Sequence, residues 1–131
     1  LKDQIKLTNK GSITKQLIDI ENITKDVSTN ISKDNIDINY IGQKLNEVWK
    51  LKKKLTNNIS NPHIDKIYNK GINAGAIGGK LLGAGMGGYF LFIVKNNKRK
   101  KLEETFKDNI LNIKIDFHGS RYCKIYEQFN N

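Results

Sequence analysis

Residues 75–88 read GAIGGKLLGAGMGG and run into YFLFIV, with Lys80 as the single charge in the stretch. Glycine at this density is entropically costly, so it marks tight turns or a close approach of backbone to a ligand. Three structures could contain it. Ala74 to Val94 is long enough for a membrane helix, and Gly75, Gly79, Gly83 and Gly87 are spaced as in small-residue helix interfaces. Lys80 breaks that segment, and Leu81 to Val94 is too short to span a bilayer. A phosphate loop of the Walker or dinucleotide type needs a strand before the glycines and a helix after them. Here a helical pattern precedes and a strand pattern follows, and no Lys-Ser/Thr pair trails the glycines. There remains a glycine loop, Gly83, Ala84, Gly85, Met86, Gly87 and Gly88, joining β segments Lys80 to Leu82 and Tyr89 to Val94. It either permits a tight turn or brings bare backbone to a ligand.

Other reactive side chains carry less. Lys50 and Lys53 sit in a helical pattern and are candidates for phosphate or sugar contact, as is Lys80. His63 and His118 are isolated, and no metal site is expected. Cys123 lies in an alternating segment and reads as a small buried hydrophobe. The carboxylates Asp3, Asp19, Glu21, Asp26, Asp34 and Asp37 fall mostly on polar helix faces, so no catalytic residue is expected in this chain.

The elements that must position these groups follow from periodicity. Leu1 to Asn9 resembles a helix tail ended at Gly11, and Ser12 is a fair N-cap for a helix with the stripe Ile13, Leu17, Ile20, Ile23, Val27 and Ile31. A third helix starts near Asp37 and places Ile38, Ile41, Leu45, Val48, Trp49 and Leu55 on one face. Asn61-Pro62 is a cap followed by proline in the first helical position, and the fourth helix should end near Gly75. Tyr89 to Val94 has the composition of a buried central strand. A helix from about Lys98 to Asn109 follows, then strict alternation at Leu111, Ile113, Ile115 and Phe117, a turn at Gly119-Ser120, and a return strand over Arg121 to Tyr126. Helices first, then strands with one crossing helix, predict an α+β domain with a mostly antiparallel sheet.

The chain has 131 residues, enough for one domain, and 37% of them are hydrophobic at regular intervals, which excludes disorder. Its formal charge of +10 favours phosphate-bearing partners, nucleotides and sugar phosphates among them. A nucleic-acid partner is not expected, because no strand interleaves aromatics with Lys or Arg. The dense cluster at Lys98, Arg99, Lys100 and Lys101 reads as a solvated helix start. One cysteine gives no intramolecular disulfide, so a cytoplasmic location is expected. The chain opens on Leu1 without a basic-then-apolar leader, and the expectation is a piece of a longer protein.

Lys80-Leu-Leu-Gly-Ala-Gly-Met-Gly-Gly88 resembles the third motif of the galactokinase, homoserine kinase, mevalonate kinase and phosphomevalonate kinase (GHMP) superfamily. Leu45 to Lys53 (LNEVWKLKK), Ile59 to Pro62, Ile64-Asp65, Tyr68 and Gly75 to Leu82 together resemble the branch of heptose 7-phosphate kinases and fucokinase-like enzymes. Met86 stands where that branch has glycine, and Asn46 where it has histidine. The resemblance implies that residues 1–131 are a GHMP kinase C-terminal domain. Such a domain is ferredoxin-like, with a four-stranded antiparallel sheet and helices on one side. Its glycine loop shapes a substrate cleft beside the phosphate loop of an N-terminal domain that is absent from this chain. The implied reaction is phosphoryl transfer from ATP with Mg²⁺ to a sugar or sugar phosphate. By its residues alone, the chain could also be a stand-alone small-molecule-binding or regulatory module.

Overall fold

The computed structural model describes residues 2–9, 11–31, 37–83, 85–114, 116 and 118. Their order is α1 (Lys2–Asn9), α2 (Thr14–Ile31), α3 (Ile38–Lys53), α4 (Pro62–Asn73), β1 (Ala76–Leu81), β2 (Phe90–Val94), α5 (Asn96–Phe106) and a 3₁₀ turn (Lys107–Asn109). The class is α+β.

The helix starts are local chemistry. Asp37 accepts a hydrogen bond from the Asn39 amide at 2.8 Å and opens α3. Asn61 accepts from the Ile64 amide at 2.9 Å, and Pro62 enters α4 where a missing N–H costs nothing. Ser12 does not cap α2 as expected. Its hydroxyl donates to the Leu7 carbonyl, bracing the turn at Gly11, and the helix begins at Thr14. Among the described residues, no helix is long and apolar enough to cross a membrane.

The core joins Ile13, Trp49, Leu55, Ile59, Ile64 and Leu81, with Leu7, Leu17, Ile20, Tyr68 and Phe90 packed against it. Trp49 is fully buried, and Phe90 meets it edge-on at 5.8 Å. Phe90, Phe92 and Phe106 then stack in a row, carrying the apolar contact from α3 across β2 to α5. This core ends at Leu81, where the glycine loop begins.

β1 and β2 form an antiparallel hairpin that pairs Gly79 with Phe92, Lys80 with Leu91 and Leu81 with Phe90. The first strand starts at Ala76, well before the expected Lys80, and includes Gly78 and Gly79. These glycines serve close packing. A Cβ on Gly78 would overlap the Gly42 carbonyl oxygen and lie 2.8 Å from its carbon, so α3 can sit directly on the strand. β2 differs from the expected buried central strand: all five of its residues are half-buried, and among the described residues it pairs with β1 alone.

The described sheet thus has two strands where four were expected. Residues 110–114 form no strand, and Leu111 and Ile113 are exposed. Alternation identifies an apolar face but does not supply a partner edge. The rest of the expected pair, including Ile115, Phe117, the Gly119-Ser120 turn, Arg121 to Tyr126 and Cys123, lies outside the described residues.

Candidate functional site

The hairpin carries its loop clear of the core. The Leu82 amide donates to the Tyr89 carbonyl at 2.8 Å and closes the loop's base. On the inner side, the Met86 amide donates to the Ile59 carbonyl at 3.2 Å. Gly85 lies so close to Ile59 that a Cβ would stand 2.9 Å from its Cα, and the φ of Gly85 is +110°. Met86 has a φ of 65°, a left-handed conformation that non-glycine residues seldom adopt, and its side chain is exposed. The pin to Ile59 offsets that cost.

The outer side is open. A Cβ on Gly83 or Gly87 would meet nothing within 4 Å. Gly83 has a positive φ of +85°, which explains its glycine. Gly87 has neither a positive φ nor a close neighbour among the described residues, so nothing within this chain's described packing calls for glycine there. Leu82, Met86 and Tyr89, next to these glycines in the chain, are exposed apolar side chains. Ala84 lies outside the described residues.

Among the expected lysines, Lys80 belongs to this site, half-exposed on β1 as the chain enters the loop. Lys50 does not join it and stands exposed on α3. Lys53 faces inward but is held by Asp65 at 3.0 Å, with its ammonium 5.9 Å from the Trp49 ring centre. Ser60 also donates to Asp65, at 2.9 Å. Burial opposes ionisation of Asp65, but the bonds from Lys53 and Ser60 and the Lys53 charge outweigh it and hold the carboxyl below its usual range. Lys53 therefore ties α3 to α4.

The basic residue that reaches the loop is Lys52, whose ammonium donates to the Gly83 carbonyl. Partial burial and the neighbouring Lys80 charge both lower its pKa. Its signal was present in the sequence: Lys52 follows the core residue Trp49 by three positions and so shares its helix face. Asn46 takes a structural part, accepting a hydrogen bond from the Tyr68 hydroxyl between α3 and α4. Burial pushes the Tyr68 phenol up.

The remaining groups lie apart. His63 and His118 are exposed. Among the described residues, no three of His, Cys, Asp and Glu come together as metal ligands would. A groove of about 600 Å³ runs between α4 and α5, lined by Lys66, Lys70 and Lys101 among others, and shares no residue with the loop.

Comparison with known proteins bears directly on this hairpin. A family profile described as GHMP kinases C terminal matches residues 30–110, which include α3, α4, the hairpin and α5. The D-glycero-alpha-D-manno-heptose 7-phosphate kinase of Campylobacter jejuni subsp. jejuni serotype O:2 is 36% identical over 71 residues. That alignment covers 54% of this chain and 21% of the relative, so the match spans about a fifth of that enzyme's length.

Proposed function

We propose, from the premise that this chain belongs to the GHMP kinase C-terminal family, that it is the C-terminal domain of an ATP-dependent sugar kinase acting on a heptose phosphate or a related phosphosugar. In this reading residues 1–131 form one domain. An N-terminal domain holds ATP and lies against the glycine loop. ATP, when bound, supplies the γ-phosphoryl group that a sugar hydroxyl takes in line.

The observation that carries the reading is the outer side of the loop. Its backbone is bare at Gly83 and Gly87, glycine at 87 answers no need within the described chain, and Leu82, Met86 and Tyr89 beside them in the chain are exposed. A surface built this way suits a second body that approaches within a side chain's thickness. Ile59 holds the loop from the inner side and Lys52 ties down the Gly83 carbonyl, so that body would meet a preorganised backbone. The described residues bring together no carboxylate set for Mg²⁺.

The test is ATP turnover with a panel of phosphosugars, comparing this 131-residue chain with a longer polypeptide that adds an N-terminal kinase domain. Turnover by the longer protein, strongest with a heptose phosphate, and none above background from this chain are expected. Robust turnover by this chain alone would overturn the division of roles. A longer protein that phosphorylates no sugar would overturn the function.

A further inference from the structure

We propose that Lys52 and Lys80 together form a phosphate-binding site at the open side of the glycine loop, which takes the phosphoryl group of a substrate presented to that loop. The proposal rests on the kinase reading above for the identity of the ligand, but its geometry stands on this chain alone.

Lys52 reaches the loop backbone, and Lys80 lies on the strand that leads into the loop, near enough for its charge to act on Lys52. Lys52 comes from the last turn of α3 and donates to the Gly83 carbonyl. Lys80 lies three residues before Gly83 on β1, within about 10 Å along an extended strand, and carries its charge on a flexible stem. Among the described residues, no carboxylate lies within ion-pair distance of either lysine. The nearby Lys53 has Asp65, and Lys44 has both Asp26 and Glu47. Like charges held together without a counter-charge weaken the fold locally, and an oxyanion between them reverses the sign of that interaction.

The surroundings favour such a ligand. The Gly83 carbonyl takes up one of the three Lys52 donors, leaving two. Open space beyond Gly83 gives the ligand a way in. The depressed Lys52 pKa, caused by burial and then by Lys80, is the electrostatic tension that a bound dianion would relieve. Lysine suits this task because it meets phosphate as a point charge and needs no bidentate geometry. A phosphosugar and ATP both offer the required group.

Inorganic phosphate titrated into the 131-residue chain tests the site, read by amide NMR and by the Lys52 side-chain pKa. Saturable shifts centred on Gly83 and Gly85, with the Lys52 pKa rising on binding, are expected. Lys52→Gln and Lys80→Gln should each weaken binding about tenfold, as for loss of one charged hydrogen bond. Lys52→Arg should retain most of the binding, and Trp49 fluorescence checks that each variant is folded. Lys66→Gln with Lys70→Gln, in the groove between α4 and α5, should change nothing. Parallel titrations with a heptose 7-phosphate and with ATP identify the source, and tighter binding of either than of inorganic phosphate supports the site. Absence of saturable binding overturns the proposal, as do shifts centred on α4 and α5, or folded Lys52→Gln and Lys80→Gln variants that bind like the parent. Loss of the site with turnover intact in the longer protein would sink this proposal and leave the kinase reading standing. Anion binding without turnover would do the reverse.

Discussion

Replacing Gly78 by alanine puts a methyl group where the backbone of α3 already lies. The new Cβ would overlap the Gly42 carbonyl oxygen, stand 2.8 Å from the carbonyl carbon and come within 3.1 Å of the Asn46 Cβ. Ordinary contact begins at 3.4 Å, so the carbonyl carbon alone demands a retreat of 0.6 Å, the difference of those two distances, and the oxygen demands more. No rotamer relieves this, because the obstacle is helix backbone. α3 must lift from β1 and take Trp49 with it, away from Phe90 and the rest of the core. Overpacking of this kind costs about 1–3 kcal/mol, and the rigid obstacle sets the expectation near the top of that range, at about 3 kcal/mol. Urea unfolding followed by Trp49, the only tryptophan, reads the effect as a lowered midpoint with an unchanged slope. Gly83→Ala is the comparison: it has open space but a φ of +85°, and should cost only about 1 kcal/mol of strain. A Gly78→Ala midpoint equal to that of the parent, or higher than that of Gly83→Ala, would refute the claim that close helix approach dictates this glycine.

Gly87→Ala should leave the urea midpoint within about 0.5 kcal/mol of the parent, since its Cβ meets nothing within 4 Å among the described residues, yet lower turnover in the longer protein if the proposed N-terminal domain packs there. Trp49→Ala removes a fully buried ring and should cost about 3–5 kcal/mol, measured by far-UV circular dichroism because the fluorophore is gone. Asp65 titrates below its usual range in the folded chain, so its stabilising effect is complete above the ordinary carboxylate pKa and fades as pH falls through the lowered one. Below about pH 4 the parent should therefore lose stability faster than Asp65→Asn, by less than about 1 kcal/mol because the pair is partly exposed. Thermal midpoints across pH 2–7 check this.

What could be read from the sequence was whatever depends on neighbours along the chain. Asn61-Pro62 announces α4 because both the cap and the proline act within one turn, and the stripe from Ile38 to Leu55, with Trp49 in it, announces the buried face of α3. Ser12 shows the limit of such signals, since its hydroxyl had a competing acceptor in Leu7. Gly78 and Gly79 pointed away from a strand by propensity, and only the arrival of α3 and Phe92 explains why a strand runs through them. The alternation from Leu111 onward promised a strand, but no strand forms over 110–114. The site divided in the same way. Lys80 is expected there from its place before the glycines, and it lies on β1 at the entry to the loop. Lys50 stands exposed and Lys53 is held by Asp65, whereas Lys52 reaches Gly83 because Trp49 fixes the rotation of α3.

The glycines of this hairpin separate into two kinds, and the separation locates function better than their density does. Gly78 and Gly79 face their own fold: α3 backbone crowds the first, and the Phe92 ring crowds the second. Gly85 is likewise fixed by Ile59. Each would be glycine in any protein that packs this way, whatever its chemistry. Gly87 answers no such demand, and Gly83 answers only its own φ while its carbonyl holds Lys52. The unexplained position and the cationic one thus lie four residues apart in the same loop. A loop needed only for turning would have no cause to keep glycine at 87. Stability should therefore track the inner glycines, and docking and anion binding the outer ones; a variant series in which those two properties moved together would remove the distinction.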